Sequence, residues 1–209
     1  MSALLGRTDL LSRDPPPRED ASAAVVAVLR PRPEDLEVFL IERTRRADDP
    51  WSGQVSMPGG RTEPNDADLR ATALRELEEE VGLRPNDLVL PARYFATFPT
   101  NRARLRVAVF VARLADPSDA PAPPSNHEVA GVFWLPAERL RRTERTTWRF
   151  DRDAIEIDAA VFDGHIIWGF TRSVLLALFG FLEGMAGYSG TPLPKVSRWT
   201  PQCLKRELK

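Results

Sequence analysis

The most informative segment of the sequence runs Arg75-Glu76-Leu77-Glu78-Glu79-Glu80-Val81-Gly82-Leu83. Strong helix formers fill it as far as Gly82, and glycine is a common end point of helices. Three of its side chains fall within an arc of about 100° on a helix: Glu76, Glu79 and Glu80. The apolar side chains Leu77 and Val81 occupy another face, as is typical of packing against a core. We therefore predict an amphipathic helix over about residues 66–81.

Two interpretations of the glutamate face remain open from the pattern alone. Carboxylates at positions i, i+3 and i+4 repel one another by about 0.2–0.5 kcal/mol per pair, and a hard cation such as Mg²⁺ or Mn²⁺ would relieve that repulsion. A solvated helix face would also be rich in glutamate. Arg75 precedes Glu79 by four residues and can hold its side chain, whereas Glu78 points away from the other three and is left out of the site.

The segment before this helix contains Pro58-Gly59-Gly60. Glycines allow backbone amides and carbonyls to approach a metal ion or a phosphate closely, although the same residues also make an ordinary turn. Asp66, at the start of the helical pattern, is predicted to be its N-cap.

The order of apolar runs predicts strands, a helix, more strands and a second long helix. Runs at 23–29 and 36–41, joined by a proline-containing loop, predict a hairpin, and further strands are expected near 88–98, 105–114, 129–135 and 155–162. The second helix is expected from about Trp168 to Gly184. This order favours an α/β sandwich, a mixed sheet with helices on both sides. We divide the chain into a flexible or surface-draped N-terminal arm (1–21), one domain (22–187) and an irregular tail (188–209).

Composition excludes several classes of function. The net charge of −1 gives no general attraction to nucleic acid polymers or anionic membranes. No run approaches the roughly 18 apolar residues of a membrane-spanning helix. The one cysteine, Cys203, permits no intrachain disulfide, and a reducing cytoplasmic compartment is expected.

Together, the glycine pair and the glutamate helix resemble the signature of the Nudix hydrolase superfamily, G-x5-E-x7-R-E-U-x-E-E-x-G-U, where U is aliphatic. Gly60 opens the pattern, and Arg75 to Leu83 fills its second half without a mismatch. The first half departs, with 14 residues instead of 13 between Gly60 and Arg75 and Asp66 in place of the glutamate. These departures resemble the coenzyme A pyrophosphatase branch.

A second motif of that branch, L-L-T-x-R-S-x3-R-x3-G-x3-F-P-G-G, is similar to the segment from Phe39 to Gly60. Arg43, Gly53 and Pro58-Gly59-Gly60 match it, whereas Asp48 stands where the motif has its second arginine and Met57 replaces phenylalanine. Trp168-Gly169-Phe170-Thr171 also resembles this branch. The resemblance covers about residues 22–185.

The resemblance implies a Nudix-type α/β/α sandwich that binds Mg²⁺ or Mn²⁺ and cleaves a small-molecule diphosphate. It makes Glu76, Glu79 and Glu80 metal ligands, with the Gly59 carbonyl as a further ligand. Arg75 belongs to the catalytic group, Glu76 or Glu128 is the base, and Arg43, Arg61 and Gly60 contact substrate. Coenzyme A or acyl-coenzyme A is the expected substrate. The alternatives are nucleoside diphosphate derivatives such as ADP-ribose, dinucleotides or nucleoside triphosphates, or a non-catalytic nucleotide-binding module. The resemblance is compatible with a homodimer, but the sequence specifies no interface.

Overall fold

The computed structural model describes residues 7–33, 35–46, 52–100, 105–116, 128–149 and 154–184. Its strands are β1 (Ala23–Pro31), β2 (Leu36–Arg43), β3 (Val55–Ser56), β4 (Gly59–Arg61), β5 (Leu88–Pro99), β6 (Arg106–Leu114), β7 (Val129–Pro136), β8 (Glu144–Arg149), β9 (Ala154–Phe162) and β10 (His165–Ile167). Its α-helices are α1 (Leu69–Val81), α2 (Ala137–Arg141) and α3 (Gly169–Glu183). Asp48, His127 and the predicted tail lie outside the described residues.

Strands β1 to β7 form one mixed sheet with β1 at its centre. Along one edge β1 pairs in parallel with β6, which pairs antiparallel with β5. Along its other edge β1 pairs antiparallel with β4 near its start and with β2 near its end. Strand β2 pairs with β3 and with β7. The hairpin predicted from the first two apolar runs is confirmed as β1 and β2.

The sheet is buried on both faces because its central strands alternate between two apolar cores. Val26 and Val28 of β1 pack in the core that includes Leu77 of α1. The intervening Ala27 and Leu29 pack in the core that includes Leu178 of α3. Alternate side chains of a strand point to opposite faces, so helices lie on both sides. The predicted α/β sandwich is confirmed.

The N-cap of helix α1 lies two residues after the predicted one. Asp68 is the cap, since its extended backbone lets its carboxylate accept a hydrogen bond from the amide of Ala71 at 2.8 Å. The prediction that Asp66 caps the helix is therefore wrong. The predicted end of the helix is confirmed, because Gly82 adopts a left-handed φ of 73° and donates its N–H to the carbonyl of Glu78.

A separate three-stranded antiparallel sheet, β8–β9–β10, precedes α3. The turn between β9 and β10 is Asp163-Gly164, as predicted, and both residues have a positive φ. Trp148 and Trp168 pack beside each other in a small apolar cluster under this sheet. Within the described ranges, no helix is both long and apolar enough to cross a lipid bilayer.

The described part of the N-terminal segment, residues 7–21, lies against the domain. Leu11 is buried in the core on the α3 side of the sheet. Ser12 forms two backbone hydrogen bonds with Tyr94 of β5, at 3.2 and 3.0 Å. Ser22 donates its N–H to the carbonyl of Arg106 at 3.1 Å, which fixes the segment again just before β1.

Candidate active site

The candidate site lies where α1 crosses the short strand β4. Gly59 of β4 lies opposite Val25 of β1. In an antiparallel ladder hydrogen-bonded and non-hydrogen-bonded pairs alternate, and the next pair, Val26 with Pro58, is hydrogen-bonded, so the Gly59–Val25 pair is not. The N–H and C=O of Gly59 therefore face away from β1. A side chain at Gly59 is excluded, since a Cβ would lie 2.3 Å from the carbonyl oxygen of Ala24, and its φ is 147°.

Glu80 is the buried member of the glutamate group, with only 2% of its surface exposed. Its Oε2 accepts a hydrogen bond from the N–H of Gly59 at 2.9 Å, and its Oε1 lies 3.8 Å from Nη1 of Arg43. Burial raises the pKa of Glu80 to about 8; the charge of Glu76 adds to this, while the Gly59 amide and Arg43 oppose it. Burial thus disfavours the charged form of this carboxylate.

Glu76 lies directly on Gly60, which explains why that position has no side chain. A Cβ at Gly60 would lie 2.2 Å from Oε1 of Glu76. Burial also raises the pKa of Glu76, and the contact with Arg75 partly offsets this effect. The two glycines thus bring the backbone of β4 close to both carboxylates, Glu76 and Glu80.

Arg75 holds the loop before α1 to the helix. Its Nε lies 3.0 Å from Oδ1 of Asp66, and its Nη2 donates to the carbonyl of Arg61 at 3.0 Å. Asp66 also accepts hydrogen bonds from the Thr72 hydroxyl and the Glu63 amide, both at 2.8 Å. The hydrogen bond from Arg75 lowers the pKa of Asp66 to about 2 against the effect of burial, and Asp66 in turn raises the pKa of Arg75. Asp66 is a structural acid of the site, a role its position in the sequence did not reveal.

The same guanidinium also contacts Glu76 and Glu79. Nη1 of Arg75 lies 3.1 Å from Oε1 of Glu76 and 2.9 Å from Oε2 of Glu79. The side chain of Glu79 is 56% exposed, so this carboxylate lies at the rim. Glu78 lies outside the site, as the helical pattern indicates, and pairs with Arg84 at 2.9 Å.

Glu128 stands on the neighbouring segment, and its negative charge contributes to the raised pKa of both Glu76 and Glu80. Its backbone carbonyl accepts the N–H of Thr44 at 2.9 Å, which ties it to the end of β2 beside Arg43. The structure therefore brings together Glu76, Glu80, Glu128 and Arg43, residues separated by up to 85 positions in the sequence. Arg61 contributes its carbonyl to Arg75, whereas its side chain is exposed at the end of β4.

The residues fit a hard divalent cation by their chemistry. Glu76 and Glu80 are oxygen donors held beside the Gly59 carbonyl, which faces away from β1, and burial raises the pKa of both carboxyls. Among the described residues, however, no three His, Cys, Asp or Glu side chains already converge as a metal cluster. Because Glu79 is turned toward Arg75, the inner pair and the Gly59 carbonyl make the best-supported donor set.

Comparison with known proteins identifies this arrangement. A family model described as the NUDIX domain matches residues 20–156. The chain belongs to the Nudix family. The match spans the glycine pair, the whole of α1 and Glu128, whereas α3 lies beyond it.

Two relatives and one solved structure show how far the similarity extends. The chain is 34% identical over 176 residues to Nudix hydrolase 15, mitochondrial, of Arabidopsis thaliana, covering 79% of this chain but only 60% of that protein. It is 32% identical over 158 residues to the uncharacterized Nudix hydrolase NudL of Yersinia pestis, covering 73% of this chain and 75% of the relative. A crystal structure of a NUDIX hydrolase from Alicyclobacillus acidocaldarius aligns with 83% of this chain and 98% of its own, with a TM-score of 0.54 at 19% identity.

The pairing of Asp66 with Arg75 predicts a pH-dependent contribution to stability. Since the pKa of Asp66 in the fold, about 2, lies below the ordinary value of about 3.9, its stabilising effect is complete above about pH 4 and is lost as the pH falls toward 2. We expect Asp66→Asn to lower the free energy of unfolding by about 1–3 kcal/mol at pH 7. The difference from wild type should shrink below pH 4, as measured by urea unfolding at several pH values.

Asp14→Asn provides the matched control, because Asp14 is an exposed aspartate of the N-terminal segment. It should change the free energy of unfolding by less than about 0.5 kcal/mol at every pH. Equal unfolding curves for Asp66→Asn and wild type at pH 7 would contradict the structural role of Asp66.

Proposed function

We propose that the chain is a metal-dependent diphosphohydrolase that uses Mg²⁺ or Mn²⁺. The observation that supports this most directly is the pair of the buried Glu80 and the half-buried Glu76, both packed against Gly59-Gly60 and both with a raised pKa. Placing two carboxylates together away from water is costly unless a cation compensates their charge, so such a pair is typical of a functional site. Membership of the Nudix family supports the same chemistry.

In this proposal Glu76, Glu80 and the Gly59 carbonyl hold the metal, and Glu79 is a further ligand that Arg75 keeps in place. A bound Mg²⁺ or Mn²⁺ neutralises the charge of the diphosphate and lowers the pKa of a water. Arg75 keeps the glutamates in register with the β4 backbone. Arg43 and Arg61 bind phosphate oxygens, which suit the planar fork of a guanidinium. The reaction adds the water oxygen to one phosphorus atom and breaks the bond to the bridging oxygen of the anhydride.

Two residues are candidates for the base that takes the proton of the attacking water. Glu76 is half-buried and paired with Arg75. Glu128 has a side chain that is 54% exposed, and its Oε1 lies 3.8 Å from Nη1 of Arg46. We favour Glu128, because an exposed carboxylate can accept a proton and release it to solvent while the inner pair remains with the metal.

The proposed substrate is coenzyme A or an acyl derivative. Cleavage with one water yields 4′-phosphopantetheine, or its acyl form, and adenosine 3′,5′-bisphosphate. The support is the resemblance of the segment from Arg43 to Gly60, together with Trp168-Gly169-Phe170-Thr171 at the start of α3. In the structure these two motifs meet, because the Thr171 hydroxyl donates to the carbonyl of Val55 in β3 at 3.0 Å. A nucleoside diphosphate derivative is the alternative substrate, since the metal-binding carboxylates act on the diphosphate and do not distinguish the groups attached to it.

A cytoplasmic location and a homodimer remain predictions from the sequence.

The glutamate assignment predicts a loss of turnover without a loss of folding. Glu80→Gln replaces a carboxyl group whose charged form is disfavoured by burial, yet keeps an oxygen that can accept the Gly59 N–H, so the free energy of unfolding should stay equal or rise. We expect Glu80→Gln and Glu79→Gln to lower kcat by about 10²-fold or more and to weaken Mn²⁺ binding, which isothermal titration would measure.

Glu78→Gln is the control for these variants, because Glu78 lies on the same helix but pairs with Arg84 away from the site. Its kcat and Mn²⁺ affinity should match those of wild type. Unchanged turnover in both Glu79→Gln and Glu80→Gln would refute the metal site.

The choice of base is tested by comparing Glu128→Gln with Glu80→Gln. A base that does not hold the metal should affect the rate alone, so Glu128→Gln should lower kcat by about 10²-fold while Mn²⁺ affinity stays within a factor of about two. If Glu128→Gln retains the wild-type kcat, Glu76 becomes the candidate base.

The substrate prediction requires a panel of diphosphates with products identified by mass. Coenzyme A, ADP-ribose, NADH, diadenosine polyphosphates and nucleoside triphosphates would be incubated with the protein and Mg²⁺ or Mn²⁺, and with a chelator as control. We expect coenzyme A to have the highest kcat/KM and the chelator to abolish all cleavage. Faster cleavage of another diphosphate would refute the coenzyme A assignment alone. No cleavage with either metal would favour a nucleotide-binding module.

A further inference from the structure

The turn that carries Asp66 is held from outside by an arginine of the N-terminal segment. Nη1 of Arg18 donates to the carbonyl of Asp66, and Nη2 of the same guanidinium donates to the carbonyl of Glu63. The N–H of Asp66 also donates to the carbonyl of Glu63, at 3.1 Å. The fork of Arg18 therefore spans the two ends of one tight turn.

The contacts of this turn lead directly to the glutamates. Asp66 faces inward and binds Nε of Arg75 at 3.0 Å, and Nη1 of Arg75 lies about equally close to Glu76 and Glu79, at 3.1 and 2.9 Å. Movement of the turn would move the carboxylate of Asp66 and release the guanidinium that aligns both glutamates. Two residues, Asp66 and Arg75, therefore connect Arg18 to the carboxylates of Glu76 and Glu79 through a continuous series of contacts.

The segment around Arg18 is built to hold it in place. Pro15, Pro16 and Pro17 precede it, and proline fixes φ, which reduces the entropy lost when the segment is ordered. The segment is anchored before Arg18 by the backbone pairing of Ser12 with Tyr94 and after it by the hydrogen bond from Ser22 to Arg106. Residue 18 lies outside the region that the family model matches, which begins at residue 20.

We propose that Arg18 is a positioning residue of the active site, acting through the turn 63–66 and the Asp66–Arg75 pair on Glu76 and Glu79. The expected effect on metal binding rests on the proposed metal-dependent function, whereas the expected effect on the turn 63–66 does not. In this proposal the N-terminal segment positions residues of the active site in addition to packing against the sheet.

The test compares Arg18→Gln with Arg13→Gln in the full chain. Arg13 lies on the same segment and has an exposed side chain, and its contact with α1 uses its backbone carbonyl, which accepts from Arg70. Both variants lose one positive charge, but only Arg18→Gln loses the fork across the turn. Three measurements are needed: Mn²⁺ affinity by isothermal titration, amide hydrogen exchange of residues 62–68, and the thermal unfolding midpoint.

We expect Arg18→Gln to weaken Mn²⁺ binding by about tenfold and to speed exchange in residues 62–68 by a similar factor, with a small change in the midpoint. Arg13→Gln should match wild type in all three. Combining Arg18→Gln with Asp66→Asn should weaken Mn²⁺ binding no further than Asp66→Asn alone, because both changes release Arg75.

Several outcomes would overturn the proposal. They are wild-type Mn²⁺ affinity and loop exchange in Arg18→Gln, an equal loss in Arg13→Gln, or fully additive effects in the double variant. If Arg18→Gln does not fold, Arg18→Lys keeps the charge without the fork, and wild-type behaviour in both measurements would then refute the role. If wild type neither binds Mn²⁺ nor cleaves a diphosphate, the proposed function fails, and the exchange of residues 62–68 still decides whether Arg18 positions the turn.

Discussion

The arrangement of the site depends on the guanidinium of Arg75. This single group contacts Asp66 at 3.0 Å, Glu76 at 3.1 Å, Glu79 at 2.9 Å and the carbonyl of Arg61 at 3.0 Å. A guanidinium stays charged at any physiological pH and has five N–H donors in one plane, so it can join groups on a loop, a helix and a strand at once. Lysine would supply the charge but could not span these partners. The loop before α1, the helix and β4 are therefore held in one geometry by one side chain.

The burial of the three glutamates follows from the same helix that builds the core. At about 100° per residue, Glu80, Glu76 and Glu79 lie about 60°, 100° and 160° from the fully buried Leu77. The exposed fractions of their side chains rise in that order, 3%, 16% and 56%. Packing Leu77 against the sheet therefore forces the carboxylate of Glu80 out of water, although burial makes its charged form less stable. Burying this carboxylate lowers the stability of the fold locally, as is common for groups at functional sites.

The order in which the three glutamates are exposed is the feature of the site that the sequence predicts best, because helical periodicity relates residues three or four positions apart. The long strands, the two long helices and the separation of Glu78 from the other glutamates were likewise predictable from local patterns, whereas the short strands β3 and β4 were not. The contacts of Arg18 with the turn were not, since they join residues 45 and 48 positions apart through backbone carbonyls, which leave no trace in residue type. Asp66 was misassigned for a related reason. An aspartate before a helix is a good N-cap, and only the structure shows that Asp68 takes that role.

The two departures from the Nudix pattern in the first half of the box both lie in the segment that leads into α1. Asp66 is shorter by one methylene than the glutamate of the usual pattern, and the segment from Gly60 to Arg75 is longer by one residue. The longer loop can carry the shorter carboxylate nearer to the helix, and Asp66 does reach Nε of Arg75 at 3.0 Å while also binding Thr72 and the amide of Glu63. The longer loop also presents the carbonyls of Glu63 and Asp66 outward, where Arg18 binds them. Asp66 therefore binds Arg75 although both residue type and spacing differ from the usual pattern, and the carbonyls of its turn bind Arg18 of the N-terminal segment.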